Sequence, residues 1–157
     1  MTASASSPAH ADVVWPALFL EERLLSLPAI IVGLIVEVVV LKLLFALRWR
    51  LAGWYALAVN TISAAIGLVL LPIAGLAWEV GPGQLANQLT GMGTFNPVTW
   101  AATMVLAVAI STGIEGLCLI EFFKLRFNWS RWLLWGAANM VSVGIAIYSV
   151  ATVPPQP

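Results

Sequence analysis

Residues 29–47, AIIVGLIVEVVVLKLLFAL, decide the fold of this chain, because they form an apolar run with one carboxyl, Glu37, at its centre. The hydrocarbon core of a bilayer is roughly 30 Å thick and takes about 20 residues of helix to cross. Three further runs meet this length, at 54–78, 97–123 and 132–152. The sequence therefore predicts an all-α integral membrane protein with four transmembrane helices.

Composition agrees with a bilayer as the solvent. Of the 157 residues, 61% are hydrophobic and only 9% are charged, and the mean hydropathy is +0.97. A soluble domain usually has about 25% charged residues. We therefore expect the lipid bilayer as a partner, and no nucleic acid.

The chain divides into five predicted segments. We expect an extracytoplasmic tail at 1–28 that includes a short helix in the membrane interface, and a first transmembrane hairpin at 29–78. An extracytoplasmic loop at 79–96 and a second hairpin at 97–152 follow. The tail at 153–157 is rich in proline and cannot continue a helix.

The basic residues predict the orientation. They are concentrated in the links that follow the first and third spans, at Arg48, Arg50, Lys124, Arg126 and Arg131. The positive-inside rule places both links in the cytoplasm and both termini outside. We expect a multi-pass protein of the cell membrane, of the bacterial inner-membrane type.

The two hairpins read as tandem copies of one unit. Polar and aromatic residues recur in order at an offset of 78 or 79 positions: Glu37, Arg48, Trp54, Asn60 and Ser63 match Glu115, Arg126, Trp132, Asn139 and Ser142. Equivalent helices are separated by an even number of spans. The repeat is therefore expected to be parallel, with a pseudo-two-fold axis along the membrane normal.

The two repeated glutamates lie deep in the predicted membrane. Glu37 and Glu115 each precede a link arginine by eleven residues, which is roughly 16 Å of helix. An ionised carboxylate at the bilayer centre costs about 2.5–3.5 kcal/mol on insertion scales. Each acid is therefore expected to be protonated, or to face a partner or a wet cavity.

Two interpretations of this polar centre stay open. In the first, each protonated glutamate bonds the asparagine of its own or the other hairpin, and the polar set fixes helix register. In the second, Glu37 and Glu115 face each other at the pseudo-axis and share a proton or bind a cation. Neutral oxygens would then come from Asn60, Ser63, Asn139 and Ser142.

Lys42 and Glu121 are the other charged residues within the predicted spans. Both lie within one or two helical turns of the basic links. Lys42 is expected to snorkel to the interface or to form an ion pair with Glu121. Glu121 has Lys124 and Arg126 on its own helix as further partners.

Several chemistries are not expected. The only histidine, His10, lies in the N-terminal tail, and the only cysteine is Cys118. These two residues make neither a metal site nor a redox pair within one chain. We therefore predict no metal, no cofactor and no enzymatic activity.

Two classes of function remain. The sequence favours an accessory or scaffold subunit of a larger membrane complex, bound to other membrane chains or to its own copies through small-residue helix faces. The alternative is a proton- or cation-linked transporter or channel for small solutes that uses the midplane glutamates. The first class would be favoured if another chain buried four helix glycines: Gly67, Gly75, Gly136 and Gly144. The second class would be favoured by a hydrated gap between Glu37 and Glu115.

Overall fold

The computed structural model describes residues 27–91 and 96–152. The predicted interfacial helix and the 153–157 tail lie outside the described residues. Within them, the elements are α1 (Leu27–Phe45), α2 (Trp49–Trp78), a π-helical turn (Glu79–Gly83), α3 (Gln84–Thr90), α4 (Pro97–Glu121) and α5 (Trp129–Thr152). Four helices, α1, α2, α4 and α5, are long and apolar enough to cross a membrane. The prediction of an all-helical chain with four such helices is confirmed.

The second helix of each hairpin begins earlier than the sequence predicts. Helix α2 begins at Trp49 rather than Trp54, and α5 begins at Trp129 rather than Trp132. At α5 the reason is a side-chain cap, since Asn128 Oδ1 accepts a hydrogen bond from the backbone N–H of Arg131 at 2.9 Å. The links within the hairpins are accordingly short.

Both hairpins turn through a residue in the left-handed region. Ala46 has φ 52° and Lys124 has φ 55°. After α4, the backbone N–H of Leu125 donates to the carbonyl of Leu119 at 3.1 Å. A left-handed residue just past a helix lets the chain reverse and pairs its last carbonyls.

The connection between the hairpins contains a kink and a cap. Gly81 leaves helical geometry, with φ −112° and ψ −105°, between α2 and the short α3. Asn96 caps α4, because its side-chain oxygen accepts from the backbone N–H of Thr99 at 2.9 Å. Pro97 occupies the first turn of that helix. The connection thus breaks the helical path at Gly81 and restarts it at the Asn-Pro pair.

The four long helices form a closed ring. Helix α1 packs against α2 and α5, and α4 packs against the same two helices from the other side. Helices α1 and α4 therefore stand at opposite corners of the bundle. Glu37 on α1 and Glu115 on α4 are buried, with 1% and 2% of their surface exposed, so both carboxyls face the interior.

Two apolar clusters pack the ends of the bundle. The end that carries the basic links, called the basic end below, is filled by Leu41, Ala52, Ala56, Val59, Cys118, Leu119 and Trp135. The other end is packed by Leu71, Ala107, Val143 and Ala146, from α2, α4 and α5. Helix α1 contributes no residue to this second cluster, which leaves room beside α1 at that end.

Candidate functional site in the polar centre

A cavity of about 250 Å³ lies between the four long helices. Its lining includes all six residues that the sequence marks as the polar centre: Glu37, Asn60, Ser63, Glu115, Asn139 and Ser142. The structure therefore brings the six residues together around one space, although they come from four helices.

Glu115 is held by two hydrogen bonds. Ser63 Oγ, on α2, donates to Glu115 Oε1 at 2.8 Å. Asn139 Nδ2, on α5, donates to Glu115 Oε2 at 2.8 Å. Each carboxyl oxygen thus has a partner on a neighbouring helix, and one of these bonds joins the two hairpins. Glu115 combines register-fixing contacts with a position on the cavity wall.

Glu37 has fewer partners. Asn60 Nδ2 donates to Glu37 Oε2. The same Nδ2 also donates to the backbone carbonyl oxygen of Ala56, at 2.9 Å. The other oxygen of Glu37 has no hydrogen-bond partner among the described residues. Each glutamate therefore accepts a hydrogen bond from the asparagine of its own hairpin. The second oxygen of Glu115 has a further partner, Ser63, and that of Glu37 has none among the described residues.

Ser142 makes the difference visible. In the predicted repeat it corresponds to Ser63, yet its buried Oγ has no hydrogen-bond partner in the part of the chain that the structure describes. This hydroxyl lies against Gly33, where a Cβ would collide with it. Gly33 is four residues before Glu37, so Ser142 Oγ lies beside a backbone position about 6 Å along α1 from that of Glu37. An unpaired hydroxyl and an unpaired carboxyl oxygen thus line the same cavity.

Sequence reasoning missed three residues of this region. Gly33 and Ser111 line the cavity, each four residues before a glutamate and hence on the same helix face. Their spacing of four residues from Glu37 and Glu115 is the sequence signal that identifies them. The buried indole N–H of Trp135 lies near Glu115 without meeting hydrogen-bond geometry, and no sequence pattern marks it.

The cavity lies away from the basic end. Beyond the polar centre its lining is mostly apolar, with Thr61 and Ser111 as the polar exceptions, and it includes Ile30, Leu57 and Leu68, which are 47%, 46% and 51% exposed. Because these exposed residues belong to α1 and α2, the cavity opens sideways between those helices. At the basic end the buried residues of the apolar cluster lie outside the cavity lining, and the rings of Tyr55 and Phe123 stack beside that cluster with their centroids 3.9 Å apart.

The second predicted pair is arranged differently. Glu121 Oε2 lies 3.8 Å from Nζ of Lys124 on its own helix, and both side chains are exposed. Lys42 Nζ lies 4.9 Å from the ring centroid of Trp49. The structure thus places Glu121 with Lys124, one of its predicted partners, and does not bring Lys42 and Glu121 together as an ion pair.

No group of three or more His, Cys, Asp or Glu residues in the described part of the chain is arranged to hold a metal ion. Cys118 is a free, buried cysteine in the apolar cluster of the basic end.

No family model matches this chain, and neither a curated protein nor a solved structure matches it. The cavity itself is therefore the strongest functional lead.

Proposed function

We propose that this protein is a proton- or cation-linked transporter of small solutes and not an enzyme, with the cavity of the polar centre as its binding site. The observation that carries the proposal is the convergence of two buried carboxyls on one space between four helices. Ionisable residues inside a membrane protein mark ion, proton or substrate pathways more often than they serve packing alone.

The cavity has the size and lining of a small-ligand site. Its volume of about 250 Å³ is far more than the roughly 10–15 Å³ that one water molecule requires. Mostly apolar walls with a few convergent polar groups are typical of such sites. The space accommodates a small organic solute or a cation with several waters.

The two carboxyls supply a way to couple a proton to a solute. A neutral, protonated carboxyl is cheaper inside the bilayer than a carboxylate. A cation that binds at the carboxyl replaces the proton and leaves the charge of the site unchanged. One proton is then released for each cation that binds at the carboxyl.

We further propose that the chain is a parallel repeat with both termini outside the cytoplasm. Two features support the repeat. Ala46 and Lys124, the two left-handed turn residues, are 78 positions apart, as are Glu37 and Glu115. Each glutamate also accepts from the asparagine of its own hairpin. Transporters built from repeats place their binding site at the repeat interface, near the bilayer midplane.

A second candidate function, an accessory or scaffold subunit of a cell-membrane complex, is supported by one face of α5. A Cβ at Gly144 would meet nothing within 4 Å, and Tyr148 and Met140 beside it are 71% and 51% exposed. By contrast, Gly67 lines the cavity and Gly136 lies against Thr112 inside the bundle. Two of the four marked glycines are thus used within the chain, which weakens the case for a partner at those faces.

Infrared difference spectroscopy across a pH titration tests the transporter proposal. The purified full chain in lipid nanodiscs is compared with the Glu37→Gln, Glu115→Gln variant. We expect the unmodified chain to lose, as the pH rises, carbonyl intensity of protonated carboxyls that the variant does not lose, because the other five Asp and Glu residues are common to both. A band that does not respond to pH, or that titrates equally in the variant, would show that the buried acids exchange no protons with water.

Gentle purification from the native membrane, followed by mass measurement of the intact assembly, tests the second candidate. The transporter proposal predicts the chain alone or as copies of itself. Stoichiometric recovery with other membrane chains would favour the subunit. A Gly144→Trp variant that loses those chains would place them on the α5 face.

A further inference from the structure

Building on the proposed function, we infer that the solute is a protonated organic amine with an apolar substituent, held by Glu37 and Ser142 and admitted from the bilayer between α1 and α2. Three observations carry the inference: the unequal hydrogen bonding of the two glutamates, the absence of basic residues from the cavity wall, and the exposed apolar lining along α1 and α2.

The hydrogen bonds single out Glu37 as the group that takes the ligand. Both oxygens of Glu115 are occupied, by Ser63 and Asn139 at 2.8 Å each. Glu37 has one oxygen without a partner among the described residues, and the Oγ of Ser142 is buried without one. A polar group that faces a mostly apolar space without a partner is unfavourable, so the pair gains most from a ligand that bonds both.

The separation of these two groups suits an ammonium. Ser142 Oγ lies against Gly33, one helical turn of about 6 Å from Glu37. Charge-assisted hydrogen bonds from an ammonium are about 2.7–2.9 Å long. That spacing is between the backbone positions of Gly33 and Glu37, and a helical side chain leans toward the N-terminus of its helix, so the carboxyl of Glu37 extends toward Ser142. An ammonium between the two groups can then donate one N–H to the carboxylate and another to the hydroxyl.

The lining excludes an anion and disfavours a bare metal ion. Within the described part of the chain, the cavity-lining residues include no Lys, Arg or His, and their only titratable groups are Glu37 and Glu115. Asn60 and Asn139 turn their NH₂ groups, not their oxygens, toward the carboxyls. A metal ion would therefore meet few oxygen ligands, whereas an organic ammonium brings its own apolar surface to the apolar wall.

Entry from the bilayer follows from where the apolar lining is exposed. Ile30 on α1 and Leu57 and Leu68 on α2 line the cavity and also face outward. An amine with an apolar substituent concentrates in the interface of a bilayer. It can then slide between α1 and α2, while the aromatic and apolar cluster fills the basic end.

The exchange is balanced in charge and atoms. Protonated Glu37 gives its proton to water as the ammonium arrives, and no covalent bond to the ligand forms or breaks. The proton and the ammonium compete for one carboxyl, so binding weakens as the pH falls. Glu115, on α4, is the other titratable group that faces this space.

Calorimetric titration with phenethylammonium tests the inference, using the full chain in lipid nanodiscs and empty nanodiscs as the blank. Its uncharged analogue, 2-phenylethanol, is the matched ligand. We expect the ammonium to bind and 2-phenylethanol to bind at least about tenfold more weakly, which corresponds to 1.4 kcal/mol. Glu37→Gln is expected to weaken ammonium binding at least tenfold, and Ser142→Ala severalfold.

A pair of neighbouring substitutions tests the lateral route. Ala64 lines the cavity at the exposed face of α2, and Ala65 is exposed without lining it. Ala64→Trp is expected to slow or abolish binding of phenethylammonium, and Ala65→Trp to leave it unchanged. Equal effects of the two would remove the α1–α2 opening as the entrance. Circular dichroism and size-exclusion profiles confirm that each variant is folded.

The outcomes separate this inference from the proposed function. If the carboxyl band titrates but phenethylammonium does not bind, or binds equally to the Glu37→Gln variant, then the amine inference is wrong and the proton-linked function stands. If the band does not titrate, the proposed function fails. Binding that Glu37→Gln abolishes would then mark a ligand site without proton linkage.

Discussion

Replacing the two corresponding serines tests the asymmetry of the polar centre. Ser63 Oγ donates to Glu115 at 2.8 Å, whereas the buried Oγ of Ser142 donates to no group of residues 27–91 and 96–152. Ser63→Ala removes a bond that joins α2 to α4 and therefore joins the two hairpins. Ser142→Ala removes a hydroxyl that has no partner. Both changes delete one oxygen from a helix of the same bundle, so each serves as the control for the other.

The expected magnitudes follow from what each hydroxyl contacts. Side-chain hydrogen bonds between membrane helices contribute about 0.6 kcal/mol on average and up to about 1.7 kcal/mol. The Ser63→Ala variant should lose an amount in the upper part of this range, because the acceptor is a carboxyl that is 2% exposed. The Ser142→Ala variant should be unchanged or more stable by up to about 1 kcal/mol, since it removes an unsatisfied buried group.

Reversible unfolding in mixed micelles of lipid and sodium dodecyl sulfate, followed by circular dichroism, measures both free energies of unfolding. The reasoning predicts a gap of about 1–2 kcal/mol between the two variants. If Ser142→Ala destabilises the protein as much as Ser63→Ala does, then Ser142 has a partner in the folded protein. The hydrogen-bond asymmetry would then be refuted.

Three further changes are expected to alter stability, each measured by the same unfolding assay. Gly116→Ala places a Cβ in collision with ring atoms of Trp132 and should cost about 1–3 kcal/mol. Gly144→Ala places its Cβ in open space and should be neutral or stabilising. Equal effects at the two glycines would contradict the close packing on Trp132. Asn96→Ala removes the cap of α4 and should cost about 1 kcal/mol; no loss would mean that the cap is not needed. Ala46→Gly relieves a left-handed alanine and should stabilise by about 0.5–1 kcal/mol, and a loss would contradict its φ of 52°.

Sequence reasoning found the residues of the polar centre because polar side chains are rare in apolar runs. Glu37 and Glu115 are each a carboxyl within an apolar run. An asparagine and a serine follow each of them at similar spacing, which indicates the same six residues. The cost of an unpaired carboxyl in the bilayer then implied that each needed a partner. The start of α4 also has a local signal, since Asn followed by Pro is typical of a helix N-terminus.

Other features depended on packing between helices, which no local pattern records. The sequence did not reveal that α1 and α4 stand at opposite corners, so that Ser63 bonds the glutamate of the other hairpin. It did not show that Ser142 lies unpaired against Gly33. The partner of Glu121 was also undecided, because helical spacing and span depth allowed several cations and only the fold places Lys124 beside it.

Proton release on ligand binding shows whether a proton and a cation exchange at Glu37. Phenethylammonium is added to the full chain in weakly buffered nanodiscs at slightly acidic pH, and a pH-sensitive dye records the protons set free. The account predicts release of about one proton for each ammonium bound, by linkage at Glu37, and none from the Glu37→Gln variant. Binding without proton release, or release that persists in Glu37→Gln, would contradict the claim that proton and cation exchange at this carboxyl.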